Sequence, residues 1–166
     1  MPRTIHRYAV LAAALGAALI VADSRALAQR KDPLVGNWEL DLAKSTFDGA
    51  APARRMVMFD TVPNGLKETI TTTTAGNAEV TYHLVYTAKF DGKDYPADVA
   101  SAFDTVSIKR VDARTIERMG KVKGQVVQTE TYTVSPDGKM LTVKQGGSNN
   151  GVPLKSAQIF ERAASS

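Results

Sequence analysis

The sequence predicts an all-β protein whose antiparallel strands form one up-and-down barrel of about eight to ten strands. Apolar and polar residues alternate with a period of two in many short segments, and no segment keeps a helical period. Turn-forming residues recur between these segments, about ten to thirteen residues apart. These intervals leave no room for the helical crossovers that parallel strands need, and closure into a barrel removes both exposed sheet edges.

Nine segments are predicted to be strands, because valine and threonine dominate them. In chain order they are residues 35–41, 54–62, 66–74, 79–90, 105–111, 115–119, 125–135, 140–145 and 154–162. The clearest is 79–90, since one face carries Val80, Tyr82, Leu84, Tyr86, Ala88 and Phe90. Its other face is polar, which is typical of a half-buried strand.

Turn chemistry separates these strands. The turn signals are Pro63-Asn64-Gly65, Gly76-Asn77, Asp91-Gly92, Asp112-Ala113, Lys123-Gly124 and Pro136-Asp137-Gly138. Asn-Gly and Asp-Gly pairs accept the positive φ of tight hairpins. Two longer connections remain: residues 91–104, which contain Phe103 and are expected to lie across the barrel mouth, and the glycine-rich residues 146–151, which are predicted to be a flexible loop.

Residues 1–28 are predicted to be a cleaved signal peptide, which leaves 29–166 as one barrel domain. Arg3 and Arg7 precede an uncharged apolar run at 8–21, and Ala26-Leu27-Ala28 fits a cleavage site. This run is shorter than the roughly 20 residues that cross a bilayer, so no stable membrane insertion is expected after cleavage. Since the chain has no cysteine for lipid attachment, the expected location is the periplasm or the cell exterior.

Composition excludes several classes of function. The absence of cysteine excludes disulfides, thiolate catalysis and cysteine-ligated zinc. Basic residues are single or paired, as at Arg54-Arg55, with acidic residues between them, so nucleic-acid binding is not expected. The aspartates at 91, 94 and 98 match no calcium loop and fit turns better. No metal and no other cofactor is predicted.

Two residues near the ends of the domain suggest how the barrel is closed. Gly36-Asn37-Trp38 lies on the first predicted strand and Arg162 ends the last. This resembles the lipocalin (calycin) pattern, in which a G-x-W tryptophan closes the barrel base and an arginine packs over its indole. Such a cation–π contact contributes roughly 0.5–2 kcal/mol.

Two further segments, 88–96 (AKFDGKDYP) and 104–112 (DTVSIKRVD), resemble those of a group of exported bacterial lipocalin-like proteins. The resemblance covers nearly all of residues 29–166. It implies a calycin-like barrel and export, and no established activity. The chain lacks the T-D-Y motif and the cysteines of typical secreted lipocalins, so no particular ligand is carried over.

The predicted barrel interior suggests a binding function. One predicted interior wall places two tyrosine hydroxyls within an apolar surface, which is typical of small-molecule sites. This wall consists of Tyr82, Leu84, Tyr86 and Phe90. Further interior residues are predicted to be Val57, Phe59, Ile70, Val106, Ile108, Leu141, Val143 and Ile159. We therefore predict that the barrel binds a small, mostly apolar or amphipathic molecule. The same residues also fit a fully packed core, and that alternative stays open.

The orientation of segment 125–135 decides a second candidate group. If Gln128, Glu130 and Tyr132 face inward, Glu130 is a buried charge that needs a partner, and Arg118 lies across the hairpin to supply one. That pair would orient the polar head of a ligand. If Val127 and the threonines face inward instead, Glu130 is solvated, and this arrangement is slightly favoured. If Gln128, Glu130 and Tyr132 face inward, Arg118 and Glu130 are predicted ligand-binding residues as well.

No catalytic residues are predicted, so the protein is not expected to be an enzyme. His83 is the one histidine left after cleavage, and the alternation places it on the polar face of its strand. The alternative function is a non-enzymatic envelope or protein-interaction module that uses the barrel as a scaffold. The sequence names no protein partner for it.

Overall fold

The computed structural model of the chain describes residues 31–76, 81–98, 101–149, 152–153 and 155–164. The predicted signal peptide and Val80 lie outside these ranges. The strands belong to one unit, Asp32–Ser166. None of the described residues forms a helix long and apolar enough to cross a membrane.

Eleven antiparallel strands follow one another along the described chain. They are β1 (Gly36–Thr46), β2 (Pro52–Val62), β3 (Gly65–Thr74), β4 (Thr81–Lys89), β5 (Tyr95–Pro96), β6 (Thr105–Asp112), β7 (Thr115–Val122), β8 (Gln125–Val134), β9 (Met140–Asn149), β10 (Val152–Pro153) and β11 (Ser156–Arg162). Their order in the sheet is β4-β3-β2-β1-β11-β9-β8-β7-β6-β5, and β10 pairs with β9. The predicted all-β meander is confirmed, and each of the nine predicted segments corresponds to one long strand.

The sheet curves into a nearly closed barrel. On one side the first and last long strands pair, with Trp38 opposite Arg162. On the other side β4 meets the segment around β5 through a bridge between Tyr86 and Ala97. The backbone N–H of Asp98 also donates to the carbonyl of Val85 at 2.9 Å. Both edges of the sheet are therefore covered, as the closure argument requires.

The end of the barrel around Trp38 is tightly packed. The Trp38 side chain is fully buried and donates from Nε1 to the carbonyl of Leu34 at 2.8 Å. The Arg162 guanidinium lies 4.0 Å from the centre of the indole and donates to the carbonyls of Val35 at 2.9 Å and Pro33 at 2.6 Å. Gly36 has a φ of +132°, and a Cβ there would lie 2.6 Å from Nη1 of Arg162. The structure thus brings Gly36, Trp38 and Arg162 together.

Most of the further predicted interior residues are buried, whereas Ile70 and Ile159 are half-buried. Val57, Phe59, Val106, Ile108, Leu141 and Val143 are buried. Ile159 is half-buried, and its neighbour Phe160 faces the interior instead. Both residues are apolar, so the sequence does not show which one faces inward. Pairing of Phe160 with Leu40 and with Leu141 sets the phase of β11.

The predicted flexible loop at 146–151 is wrong for its first four residues. β9 continues to Asn149, and Gly146 and Gly147 pair with Thr129 and Gln128 of β8. Gly147 has a φ of +110°, and a Cβ there would lie 3.2 Å from the carbonyl oxygen of Val127. The glycines therefore permit a tight strand pairing rather than a free loop.

Candidate functional site

A cavity of about 420 Å³, open to solvent on one side, lies in the half of the barrel away from Trp38. Its apolar lining is Ile70, Leu84, Ala102 and Phe103, and its polar lining is Arg55, Thr72, His83, Ser101, Arg118, Gln128 and Glu130. The barrel interior is thus packed at one end and hollow at the other. The lining is more polar than the apolar one predicted from the sequence.

Arg118, Glu130 and Glu68 form a charged cluster inside the barrel. Their side chains are 3%, 8% and 0% exposed, respectively. Arg118 and Glu130 occupy opposite positions on β7 and β8, and Nη2 of Arg118 pairs with Oε2 of Glu130. Nη1 of Arg118 lies 3.6 Å from Oε2 of Glu68. Two carboxylates from different strands therefore face one buried guanidinium.

This arrangement decides the orientation of β8. Glu130, Tyr132 and Val134 alternate as buried residues, so the slightly favoured alternative with a solvated Glu130 is wrong. The physical reason is that the apolar Tyr132 and Val134 share the face of Glu130 and complete the packed core. The threonines of the opposite face are hydroxylated and tolerate partial exposure.

Hydroxyl and amide donors surround the carboxylates. Tyr86 donates its hydroxyl to Oε2 of Glu68. Tyr132 donates to Oε2 of Glu130 at 2.8 Å, and Nε2 of Gln128 donates to Oε1 at 2.6 Å. The Tyr86 hydroxyl, predicted to serve a ligand, thus serves Glu68 instead.

Burial controls the protonation of this cluster. Burial raises the pKa of Glu68, although the charge of Arg118 and the hydrogen bond from Tyr86 act in the opposite direction. Burial lowers the pKa of Arg118, but neighbouring charges, with Glu130 first, raise it more, so that its pKa lies well above the ordinary value. Burial also raises the pKa of Tyr86 and of Tyr132 well above the ordinary value. Arg118 therefore stays charged and both hydroxyls stay protonated.

Two polar atoms of the cluster are left over. Oε1 of Glu68 and Nη1 of Arg118 are buried and make no hydrogen bond with any of the described residues. Such atoms in a buried site normally have a partner. Here Nη1 of Arg118 lies 3.6 Å from Oε2 of Glu68, so the two side chains attract each other through charge without a hydrogen bond at this atom.

Arg55 and Glu68 are interior residues that the sequence reasoning missed. Arg55 is half-buried at the cavity, where Nε donates to Oγ1 of Thr72 at 2.9 Å and Nη1 donates to Oε1 of Gln158 at 2.6 Å. The alternation of apolar and polar residues contained a signal for both. Arg55 lies on the same strand face as Val57 and Phe59, and Glu68 lies on the same face as Leu66 and Ile70. A charge that falls on the apolar phase of a strand marks an interior polar site.

The other predicted ligand-binding residues are scattered. Leu84 lines the cavity with Arg118 and Glu130, whereas Tyr86 and Phe90 are not part of the lining. Phe90 instead packs under Arg110, whose guanidinium lies 4.1 Å from the ring centre. The side chain of Tyr82 lies outside the described residues. His83 is exposed, as expected, with Nδ1 3.2 Å from Oγ1 of Thr71.

Part of the connection at 91–104 forms one wall of the cavity, where the sequence placed it. Ser101, Ala102 and Phe103 line the cavity. Phe103 is buried against Gly120, where an added Cβ would lie 2.6 Å from the ring. The absence of a side chain at Gly120 therefore makes room for Phe103 inside the barrel mouth.

A scan of the chain against protein-family models and a search of curated proteins both found no match. The fold and the site define a class by themselves: an antiparallel β-barrel that is packed at one end and has a polar, ligand-sized cavity at the other. The lipocalin resemblance remains a prediction from the residues that carry it.

Proposed function

We propose that this protein is an exported, lipocalin-like binding protein that holds a small amphipathic molecule inside its barrel, without catalysing a reaction. The observation that carries the proposal is the cavity of about 420 Å³ beside the packed core. Its size falls within the range of roughly 300–1,000 Å³ that is typical of small-molecule sites.

The distribution of lining residues supports an amphipathic ligand over a wholly apolar one. Ile70, Leu84 and Phe103 offer apolar contact area. Arg55, Gln128 and Arg118 offer polar contacts in the same cavity. A wholly apolar molecule would cover these polar groups without replacing their contact with water, which costs free energy.

Binding is tested with N-phenyl-1-naphthylamine, a neutral dye whose fluorescence rises in apolar surroundings. Titration of the purified protein should give a saturable increase. Leu84→Trp, which fills the cavity, should weaken the dye affinity by about tenfold. The matched control is Thr87→Trp on the same strand, because Thr87 is exposed. The absence of saturable binding, or equal affinities in both variants, would contradict the proposal.

Export is tested separately by the intact mass of the protein recovered from its own host. The expected product begins at Gln29, after the Ala26-Leu27-Ala28 site. A purified protein that retains residues 1–28 would show that the export prediction is wrong.

A native mass spectrum of the same purified protein tests for a bound molecule. It should contain an extra mass that is lost on denaturation. A stoichiometric protein partner instead of that mass would favour the scaffold alternative.

A further inference from the structure

We infer that the bound molecule carries an anionic head group, a carboxylate or a phosphate, and that Arg55 receives it. This inference rests on the proposed function and specifies the chemistry of the ligand. It assigns Arg55 a role in binding rather than in holding the barrel together.

Arg55 is the cavity cation whose charge is not matched. Arg118 pairs with Glu130 and lies within 3.6 Å of Glu68. Arg55 forms no ion pair with any of the described carboxylates, and its partners Thr72 and Gln158 are neutral. A partly buried charge without an opposite charge is costly. An anion in the cavity would offset that cost.

The carboxylate of Glu130 offsets the burial of Arg55 only in part. Burial and the charge of Arg118 lower the pKa of Arg55 more than the charge of Glu130 raises it. Glu130 directs its contacts elsewhere, because its Oε1 accepts from Gln128 and its Oε2 accepts from Tyr132 and pairs with Arg118. Burial raises the pKa of Glu68, which favours its neutral form and reduces the negative charge of the cluster further.

Arg118 adds a second positive charge at the border of the cavity. Its side chain is 3% exposed and faces Glu130 and Glu68, so Arg118 attracts an anion through its charge, whereas Arg55 is placed to contact the head group. A guanidinium binds carboxylate or phosphate oxygens with paired, charge-assisted hydrogen bonds. The low dielectric of a half-enclosed site strengthens the attraction relative to bulk water.

The remaining lining indicates how the rest of the ligand is accommodated. Ile70, Leu84 and Phe103 form the apolar part of the cavity. They suit a hydrocarbon or aromatic tail attached to the charged head. A cationic amphiphile would bring a third positive charge next to Arg55 and Arg118, and a neutral one would leave the charge of Arg55 unmatched.

The test is displacement of N-phenyl-1-naphthylamine by amphiphiles with the same tail and different heads. Dodecanoate should displace the dye at a concentration about tenfold lower than dodecanol or dodecylamine. Dodecyl phosphate tells the two anions apart, since the stronger of the two competitors identifies the preferred head group. Equal displacement by dodecanoate and dodecanol, with the dye still bound saturably, would overturn this inference and leave the proposed function intact. Failure of the dye to bind would overturn the proposed function itself.

Variants then assign the preference to Arg55. Arg55→Gln should bring dodecanoate and dodecanol to similar potency while dye binding persists, and dye binding shows that the variant is folded. The matched control is Arg54→Gln, because the neighbouring Arg54 is exposed and pairs with Glu39 at 3.1 Å. Arg54→Gln should keep the preference for dodecanoate, and retention of that preference in Arg55→Gln would overturn the assignment.

A second variant covers the case in which Arg55→Gln does not fold, as judged by circular dichroism. Arg55→Lys keeps the charge but loses the planar fork of donors. It should weaken dodecanoate by roughly threefold relative to dodecanol, since one point charge replaces a bidentate contact. Unchanged potency of dodecanoate in this variant would overturn the role of Arg55.

Discussion

Removal of Arg118 should destabilise the barrel strongly. In Arg118→Met the apolar stem is retained, but Glu130 and Glu68 lose the one cation that faces both of them. Breaking a buried ion pair by removing one partner costs about 3–5 kcal/mol, and the 3% exposure of Arg118 leaves little solvent to reduce that cost. Glu130 keeps its hydrogen bonds from Gln128 and Tyr132, which favours the lower part of this range.

The free energy of unfolding is measured by urea titration with the fluorescence of Trp38. Trp38 is the single tryptophan of the chain and is fully buried, so its emission reports on the folded barrel. With a urea dependence of about 1–3 kcal/mol per M, the loss corresponds to a midpoint lower by about 1–3 M. Arg54→Met, at an exposed position, should change the free energy by less than about 1 kcal/mol.

The double variant Arg118→Met with Glu130→Gln gives the sharper test. Neutralising Glu130 removes the uncompensated charge, so the double variant should be more stable than Arg118→Met alone. A double variant whose loss equals the sum of the two single losses would refute the coupling of Arg118 and Glu130. A stability of Arg118→Met within about 1 kcal/mol of the wild type would refute the importance of the buried charge itself.

Three further predictions concern the closed end, the protonation of Glu68 and the surface. Trp38→Ala should lower the free energy of unfolding by about 3–5 kcal/mol, because it removes the residue that packs under Arg162. The measurement is a urea titration followed by circular dichroism. Near-wild-type stability would contradict the closure argument. Because burial raises the pKa of Glu68 above its ordinary value of 4.5, the folded state holds this proton to higher pH than the unfolded chain does. The stability that this proton contributes to the fold is fully present below the pKa of Glu68 in the unfolded chain. It is lost as the pH rises through the pKa of Glu68 in the folded protein. Between these two pKa values, a rise in pH should therefore lower the stability of Glu68→Gln less than that of the wild type. Parallel pH profiles of the urea midpoint for the two proteins would show that Glu68 is not protonated in the fold. His83→Ala should stay within roughly 0.5 kcal/mol of the wild type by thermal unfolding, because His83 is exposed, and a larger loss would reveal a role for its contact with Thr71.

The strand framework of this protein is determined locally. A period of two and a turn signal at each strand end are properties of neighbouring residues, so the sequence predicts nine strands and their antiparallel order. Trp38 and Arg162 were also recognisable, because their places on the first and last predicted strands resemble the lipocalin pattern of a G-x-W tryptophan covered by an arginine. The structure pairs these two positions directly.

The candidate site depended on the tertiary structure. The phase of β8 was ambiguous in the sequence because both of its faces carry polar groups, and only packing of Tyr132 and Val134 against the other strands decides which face is buried. Arg55 and Glu68 fall on apolar phases of their own strands, yet their partners are Gln158 and Arg118, about 100 and 50 residues away in the chain. The position of the cavity depends on how far the core side chains of many strands extend into one shared space. Local pattern therefore determines which residues form strands, and closure of the barrel decides which of them meet.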